Sequence, residues 1–210
     1  MKIDLTFDGL QAVYKRKGYS FFTNDAKNLN LNYGAFRNPD SEADRFDDLF
    51  FLSWIYRGNK NLVTWTGTTD PSEYWLKKLG NPKGTAILKE GQYLKGFKLG
   101  KHKGQYEALV QNTAVTVHRD RNRDGKHDFD GALDTGFFGI NHHRARETGI
   151  TTDPKYWSAG CQVAEDSKQH EYNMMLIKEA CRIYEDDRIS YTLFNMRDYN
   201  EPIPGQLKKK

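Results

Sequence analysis

The stretch Phe137–Val163, FFGINHHRARETGITTDPKYWSAGCQV, carries two adjacent histidines and, after a polar spacer, a cysteine that follows a run of small residues. Fourteen residues, 144 to 157, separate His143 from Ser158, so a loop can leave the histidine segment and bring Cys161 back beside it. A thiol needs a base to become a good nucleophile at neutral pH, and the pKa of imidazole suits that task. The stretch therefore predicts a Cys–His nucleophile where two chain segments meet.

The residues in front of the cysteine are small. Ser158, Ala159 and Gly160 let the backbone turn tightly and approach a substrate carbonyl. The N–H groups around Gly160 and Cys161 are then expected to form an oxyanion hole. The candidate catalytic residues are Cys161, His143, Ser158 and Gly160.

Alternation along an extended segment distinguishes the two histidines. His142 falls on the face of the apolar Phe138 and Ile140, whereas His143 falls on the opposite face with Asn141. A substrate can approach that second face more easily. His143 is therefore the predicted base and His142 the alternative.

A histidine, a fourteen-residue spacer and then Ser-Ala-Gly-Cys resembles the active-site signature of the L,D-transpeptidase-like cysteine enzymes. The family usually has a His between the Ser and the Gly, and an Asn or Arg soon after the Cys. This chain has Ala159 and Gln162 at those places. The run Trp157–Val163, WSAGCQV, is similar to phage-encoded wall-degrading enzymes. The resemblance implies a β-rich sandwich as the core fold and peptidoglycan stem peptides as the substrate.

The predicted function is a cysteine peptidase that cleaves peptidoglycan stem peptides through a thioester, as an endolysin-like cell-wall hydrolase does. Arg144 is a candidate for binding a peptide carboxylate, and Trp157 for stacking on a sugar; ordinary surface pairing and loop packing are the respective alternatives. Three other functions stay open. They are an L,D-transpeptidase that cross-links peptides, a non-enzymatic calcium-dependent binding or virion protein, and a zinc amidase.

Composition narrows the class of protein. The chain has 210 residues, of which 37% are hydrophobic and 13% aromatic, enough for the core of one domain over residues 1–210. No run of about 18 apolar residues is present, so no membrane span is expected. The N-terminal residues lack the apolar run of a signal peptide, which predicts synthesis in the cytoplasm and delivery to the wall by another route.

The formal net charge of +4 favours anionic surfaces such as cell-wall polymers. This excess of positive charge is too small and too scattered along the chain to indicate a nucleic-acid-binding protein. Lys208–Lys210 is expected to be a disordered basic tail.

Short segments separated by turn residues predict a mainly β fold with a few helices. A helix is expected between Thr6 and Gly18, and another over Ser167–Tyr184 that buries Cys181. The turn at 57–60 predicts a β-hairpin of strands 49–56 and 62–68, against a competing helix over 47–55. Further strands are predicted at 29–36, 86–88, 91–93, 106–111, 115–118 and 189–194, with a short helix from Thr69 through Leu76.

The segment after the 115–118 strand matches the start of a calcium loop, with oxygen ligands at alternate positions and a glycine at the turn. The twelfth position is Gly131 rather than the glutamate of an EF-hand, and a polar hairpin turn is the alternative. No cofactor is needed for the cysteine mechanism, so calcium would be structural. The candidate ligands are Asp120, Asn122, Asp124 and Asp128. His102 is expected to be a solvent-facing turn residue.

Overall fold

The computed structural model describes residues 3–24 and 29–200. The predicted basic tail, Lys208–Lys210, lies outside the described residues, as do the first two residues of the chain. The described part is mainly β with a few helices, which confirms the predicted fold class. Its larger sheet closes into a barrel of eight strands, and a separate sheet has three strands.

The strands of the described part are β1 Asn32–Arg37, β2 Asp48–Tyr56, β3 Asn59–Thr68, β4 Thr85–Leu88, β5 Gly91–His102, β6 Tyr106–Gln111, β7 Val115–Asp120, β8 Ala132–Gly136, β9 His142–Arg144, β10 Gln162–Ala164 and β11 Arg188–Asn195. The helices are α1 Phe7–Lys17, α2 Glu73–Lys77, α3 Ser167–Tyr184 and α4 Met196–Asn200. The barrel order is β1-β11-β5-β6-β9-β10-β3-β2, and the smaller sheet has the order β4-β7-β8. Two neighbouring pairs in the barrel are parallel, β1 with β11 and β9 with β10.

Local sequence signals account for the most regular elements. Thr6 caps α1, because its Oγ1 accepts a hydrogen bond from the Gly9 N–H at 3.1 Å, and Gly18 ends the helix with a φ of 68°. Arg57 and Gly58 both have positive φ, 49° and 77°, as a two-residue hairpin turn between β2 and β3 requires. The predicted hairpin is therefore confirmed and the competing helix over 47–55 is wrong. The long helix α3 has the predicted limits.

Other boundaries differ from the sequence expectations. The helix predicted from Thr69 begins only at Glu73, after Pro71 and its neighbours. The strand expected to end at Tyr93 continues to His102, so the placement of His102 in an exposed turn is wrong. Strands β8 and β10 and helix α4 were not predicted, because segments of three to five residues carry too few side chains to show a period.

Two apolar clusters stabilise the barrel. Inside it, aromatic side chains of the strands pack with residues of α3 such as Met174 and Ile177. Outside it, Leu10, Val13 and Tyr14 of α1 cover an apolar face of β1, β2 and β11. Because both faces of β1 are covered, every residue of that strand is buried, although its sequence alternates. Within the described residues, no helix is long and apolar enough to cross a membrane.

Candidate active site

The pairing of β9 with β10 positions the candidate nucleophile. These parallel strands align Gln162 with His142 and Val163 with His143, and the Gln162 N–H donates a hydrogen bond to the Asn141 carbonyl at 2.8 Å. One step earlier in this register, Cys161 lies beside Asn141. Since side chains alternate between faces, Cys161 shares its face of the sheet with His143, which is one diagonal step away.

The opposite face of the same pair is the interior of the barrel. His142 lies there, 3% exposed, with its Nδ1 at 3.1 Å from the Tyr33 hydroxyl and its ring packed against Phe97 and Tyr191. The alternation placed His142 on the packed face and His143 on the open one, but the structure buries both rings, since His143 is only 1% exposed. That His143 acts as the base stays a prediction.

The hydrogen bonds of His143 define which of its ring nitrogens carries the proton. Its Nδ1 lies 2.7 Å from the Arg144 carbonyl oxygen, which can only accept a hydrogen bond, so Nδ1 carries the proton and Nε2 has a free lone pair. The Tyr106 hydroxyl donates to the same carbonyl at 3.0 Å and lies 3.2 Å from Nδ1. Nε2 is buried and forms no hydrogen bond within the described residues. The ring is therefore fixed as the Nδ1–H tautomer, with Nε2 shielded from solvent.

His102 joins this group, although the sequence placed it in a solvent-facing turn. It is 9% exposed, and its ring stacks on that of His143 with centroids 3.9 Å apart and planes 23° apart. The Asn141 side-chain amide lies 3.1 Å from its Nδ1. No local pattern could have revealed this contact, because His102 is brought to His143 by the pairing of β5, β6 and β9.

The Cys161 thiol is half-buried and contacts backbone groups. Its Sγ accepts a hydrogen bond from the Asn141 N–H at 3.5 Å and lies 3.7 Å from the Gly139 carbonyl oxygen. Within the described residues, these backbone groups rather than the His143 ring are its hydrogen-bond partners. Burial raises the pKa of the Cys161 thiol, and the Asn141 N–H and the Lys103 charge lower it in part.

Burial also keeps His143 neutral. It lowers the pKa of His143 to about 3, with a further contribution from the neighbouring His102. The resting pair is therefore a neutral thiol and a neutral imidazole. A neutral thiol becomes a good nucleophile only when an adjacent base takes its proton.

Ser158 and Gly160 shape the loop that carries the cysteine. The buried Ser158 Oγ donates to the Cys161 carbonyl oxygen at 2.9 Å and accepts from the Gly160 N–H at 3.3 Å. The Gly160 N–H is thus already bonded, which contradicts its predicted place in an oxyanion hole. These two bonds hold the backbone on either side of Cys161.

The side chain of Gln162 ties the same loop to the barrel interior. Its amide donates to the carbonyls of Thr69 and Gly160 at 3.2 and 3.4 Å, and its carbonyl oxygen accepts from the Tyr191 hydroxyl at 2.7 Å. Gln162 is 1% exposed, so these bonds are shielded from water. From the sequence, Gln162 was noted only as a departure from the family pattern. Its role in linking the loop to the barrel interior was not predicted.

Gln111 organises the other side of the site. Its side-chain oxygen accepts hydrogen bonds from the N–H groups of Phe138, Gly139 and Ile140 at 2.9, 3.1 and 3.4 Å. Its amide donates to the Gly136 carbonyl at 2.8 Å. Gln111 therefore fixes the segment whose Gly139 carbonyl and Asn141 N–H contact the thiol, and sequence reasoning missed it as well.

Gly160→Ala is expected to disable the site. Gly160 has a φ of 114°, and a Cβ there would overlap the Ala86 carbonyl oxygen. The conformation alone costs an alanine about 1–3 kcal/mol, and relief of the overlap must displace Cys161. The matched control is Gly149→Ala, because Gly149 also has positive φ, 80°, but a Cβ there meets nothing within 4 Å. Melting temperature and Cys161 alkylation rate should both change far more in Gly160→Ala; equal effects of the two substitutions would contradict this account.

The buried histidines predict acid sensitivity. Burial lowers the pKa of His102 to about 4 and that of His143 to about 3, against an ordinary value of about 6.5 in the unfolded chain. Between those values the unfolded chain binds more protons than the folded protein, so the free energy of unfolding falls as the pH falls. We expect the melting temperature to decrease steadily from neutral pH to about pH 4, and a smaller decrease in His102→Asn. A melting temperature that stays constant over this range would show that these rings are not buried and neutral.

The two candidate substrate-binding residues have different surroundings. Arg144 follows His143, with its guanidinium 4.1 Å from the centre of the Tyr106 ring and one nitrogen bonded to the Arg146 carbonyl at 2.7 Å. Trp157 is 44% exposed in the loop before Ser158. Both side chains are accessible, and neither role is tested by the contacts themselves.

The predicted calcium loop is ordered by its own hydrogen bonds. Side-chain oxygens of Asp120, Asn122, Asp124 and Asp128 accept backbone N–H groups of residues 128, 124, 126 and 130, respectively. Such bonds are typical of the polar hairpin turn that is the alternative. In the described ranges, 3–24 and 29–200, no group of three or more His, Cys, Asp or Glu side chains is arranged to hold a metal ion.

Structural calcium stays a prediction with a direct test. A cation that binds only the folded protein raises its melting temperature with concentration. If the loop binds calcium, protein stripped with chelator should melt higher when calcium is added, and Asp120→Ala should not respond. An unchanged melting temperature in both proteins would favour the plain turn.

Comparison with protein-family models, with curated proteins and with solved structures found no match to this chain. The site therefore has to be interpreted from its own geometry.

Proposed function

We propose that the protein is a cysteine-dependent acyl-transfer enzyme that cleaves amide bonds in peptidoglycan stem peptides. One observation carries the proposal. The parallel pairing of β9 and β10 puts Cys161 and His143 on one face of the barrel, with His143 Nδ1 held by the Arg144 carbonyl. The substrate class and an L,D-transpeptidase-like core are proposed from the spacing between His143 and Ser158-Ala-Gly-Cys161.

The reaction follows from the atoms of this pair. His143 Nε2 takes the proton of the Cys161 thiol, and the sulfur attacks the carbonyl carbon of the scissile amide. The imidazolium then gives its proton to the departing nitrogen, the C–N bond breaks and a thioester remains on Cys161. Water, deprotonated by His143, attacks the thioester, and the acid product leaves as the thiol is restored.

The low pKa of His143 sets its protonation state in this cycle. At neutral pH the ring is unprotonated and available as a base, and its imidazolium is a strong acid toward a leaving amine. The backbone contacts of Sγ with Asn141 and Gly139 hold the sulfur at the open face. Among the described residues, the Cys161 N–H forms no hydrogen bond, which makes it the candidate oxyanion donor in place of the Gly160 N–H.

Hydrolysis and cross-linking differ only in the group that attacks the thioester. Water gives a wall hydrolase, which we propose as the main activity on the likeness of WSAGCQV to phage-encoded wall-degrading enzymes. An amine of a second stem peptide would give a transpeptidase. A hydrolase would act on the wall after it has been delivered there or after lysis of the cell.

Mass spectrometry of the protein mixed with muropeptides tests the proposal. We expect an acyl adduct on the peptide that contains Cys161 and, after longer incubation, shortened stem peptides. The second cysteine, Cys181, is the internal control and should carry no adduct. Muropeptides left intact, with no adduct on Cys161, would favour a non-enzymatic binding protein. Loss of activity in chelator that zinc restores would favour a zinc amidase.

A further inference from the structure

A groove of about 1220 Å³ runs along α3 and is lined by none of the candidate catalytic residues. Apolar side chains of the core form part of it, namely Leu99 of β5 and Leu176 and Cys181 of α3. The Met175 side chain also lines the groove and is 58% exposed. The volume is larger than the roughly 300–1,000 Å³ of a small-molecule site, so the groove has room for a segment of another chain.

The lining of this groove has more acidic than basic side chains. Six carboxylates lie there with only three bases, and each base is bonded to one of the carboxylates. These ion pairs, with N–O distances of 2.6 to 2.7 Å, are Lys178–Glu107, Arg182–Glu179 and Arg188–Asp186. All the positive charge of the lining is therefore already paired.

The other three carboxylates of the groove are those of Glu171, Glu185 and Asp187. All three residues are exposed, and none forms an ion pair with another residue in the ranges 3–24 and 29–200. Glu171 lies near the start of α3 and Glu185 directly follows its last residue, so these two acids are ~21 Å apart along the helix axis. Because the chain as a whole has a net charge of +4, the groove is a local negative region on a positive protein.

We propose that this groove binds a basic amphipathic helix of a partner protein. The apolar stripe of such a helix packs on Met175 and the core side chains beside it, as in other complexes in which a groove holds a helix. Its lysines or arginines pair with the acids at both ends of the groove, and ~21 Å corresponds to about four helical turns. A second copy of this chain fits less well, since a symmetric contact through this face opposes like charges. The contact is independent of the chemistry of Cys161.

Fluorescence anisotropy of the full-length protein with a labelled synthetic helix tests the proposal. The probe is an amphipathic peptide of leucine, alanine and lysine, about four turns long, and its control has glutamate in place of each lysine. We expect the lysine peptide to bind at low salt and severalfold more weakly at high salt, and the glutamate peptide not to bind. The net positive charge of the protein cannot produce this preference. Equal binding of the two peptides, or none by the lysine peptide, would overturn the proposal.

Charge substitutions show where the peptide binds. Glu185→Gln combined with Asp187→Asn should weaken binding by about fivefold at low salt, as the loss of two exposed ion pairs implies. The matched control is Asp130→Asn combined with Glu147→Gln, which removes two exposed acids outside the groove. If both double variants weaken binding equally, the acids of the groove are not the binding site.

The apolar contact has its own pair of variants. Met175→Ser should weaken binding by about fivefold, because the exposed part of this side chain is buried by the peptide. Leu133→Ser is the matched control, since Leu133 is also 58% exposed but lies on β8, outside the groove. Equal losses in these two variants would contradict a helix seated on Met175. Self-association of the wild type in sedimentation velocity, abolished by Met175→Ser, would overturn the proposal in favour of a second copy as the occupant.

Discussion

Cys161→Ser is expected to lose wall-digesting or transpeptidase activity while it folds normally. Serine has a much higher pKa than cysteine, and His143, whose own pKa is lowered to about 3, is too weak a base to compensate. Removal of the nucleophile from a catalytic group that acts as a unit costs on the order of 10⁴-fold or more in rate. The measurement is release of soluble fragments from purified peptidoglycan, with melting temperature as the test of folding.

Cys181→Ser is the matched control for this experiment. Cys181 is 8% exposed in α3, where it packs in the apolar core, and burial raises the pKa of its thiol to about 11. We expect this substitution to lower the melting temperature slightly and to leave the activity in place. Undiminished activity of Cys161→Ser would refute the enzyme assignment, whereas equal losses in both variants would indicate a general effect on the fold.

His143→Ala and His142→Ala should separate catalysis from stability. His143→Ala removes the base, and general-base catalysis contributes about 10²–10⁴-fold to rate, so activity should be lost even in the folded fraction, although loss of this buried, stacked ring also lowers the melting temperature. His142→Ala removes a core ring and the partner of the Tyr33 hydroxyl. It should reduce the free energy of unfolding by about 1–3 kcal/mol while the folded fraction stays active.

The pH dependence of Cys161 alkylation gives an independent test of whether His143 acts on the Cys161 thiol. In the wild type, a base beside the thiol should shift the apparent pKa of alkylation relative to that of His143→Ala, whereas His142→Ala should leave it unchanged. If His142→Ala abolishes activity in protein that is still folded, the assignment of the base is wrong. A loss confined to His143→Ala would support the face-by-face distinction made from the strand alternation.

Segments with strong local signals were predicted well from the sequence. Helix α3 repeats its apolar residues at helical spacing over eighteen positions, so both its limits and the burial of Cys181 followed from the pattern. The β2–β3 hairpin has a glycine where its turn needs positive φ, and α1 has Thr6 and Gly18 at its ends. In these cases neighbouring residues along the chain supply the stabilising interactions.

The candidate site depended far more on contacts between distant segments. Strands β9 and β10 have three residues each and form only because β6 and β3 pair with them on either side. The assignment of the Gly160 N–H to an oxyanion hole failed because nothing in the sequence shows that the Ser158 hydroxyl takes that hydrogen. Gln111 acts on a segment about 27 residues further along the chain, beyond the reach of any local pattern.

The sequence by itself determined that the chain is mainly β with a few helices. This follows from the period of side-chain burial, which is a local property of the backbone. Only the tertiary structure decided that the sheet closes into a barrel and that His102 stacks on His143. Both outcomes depend on strand register, which is settled by long-range pairing during folding.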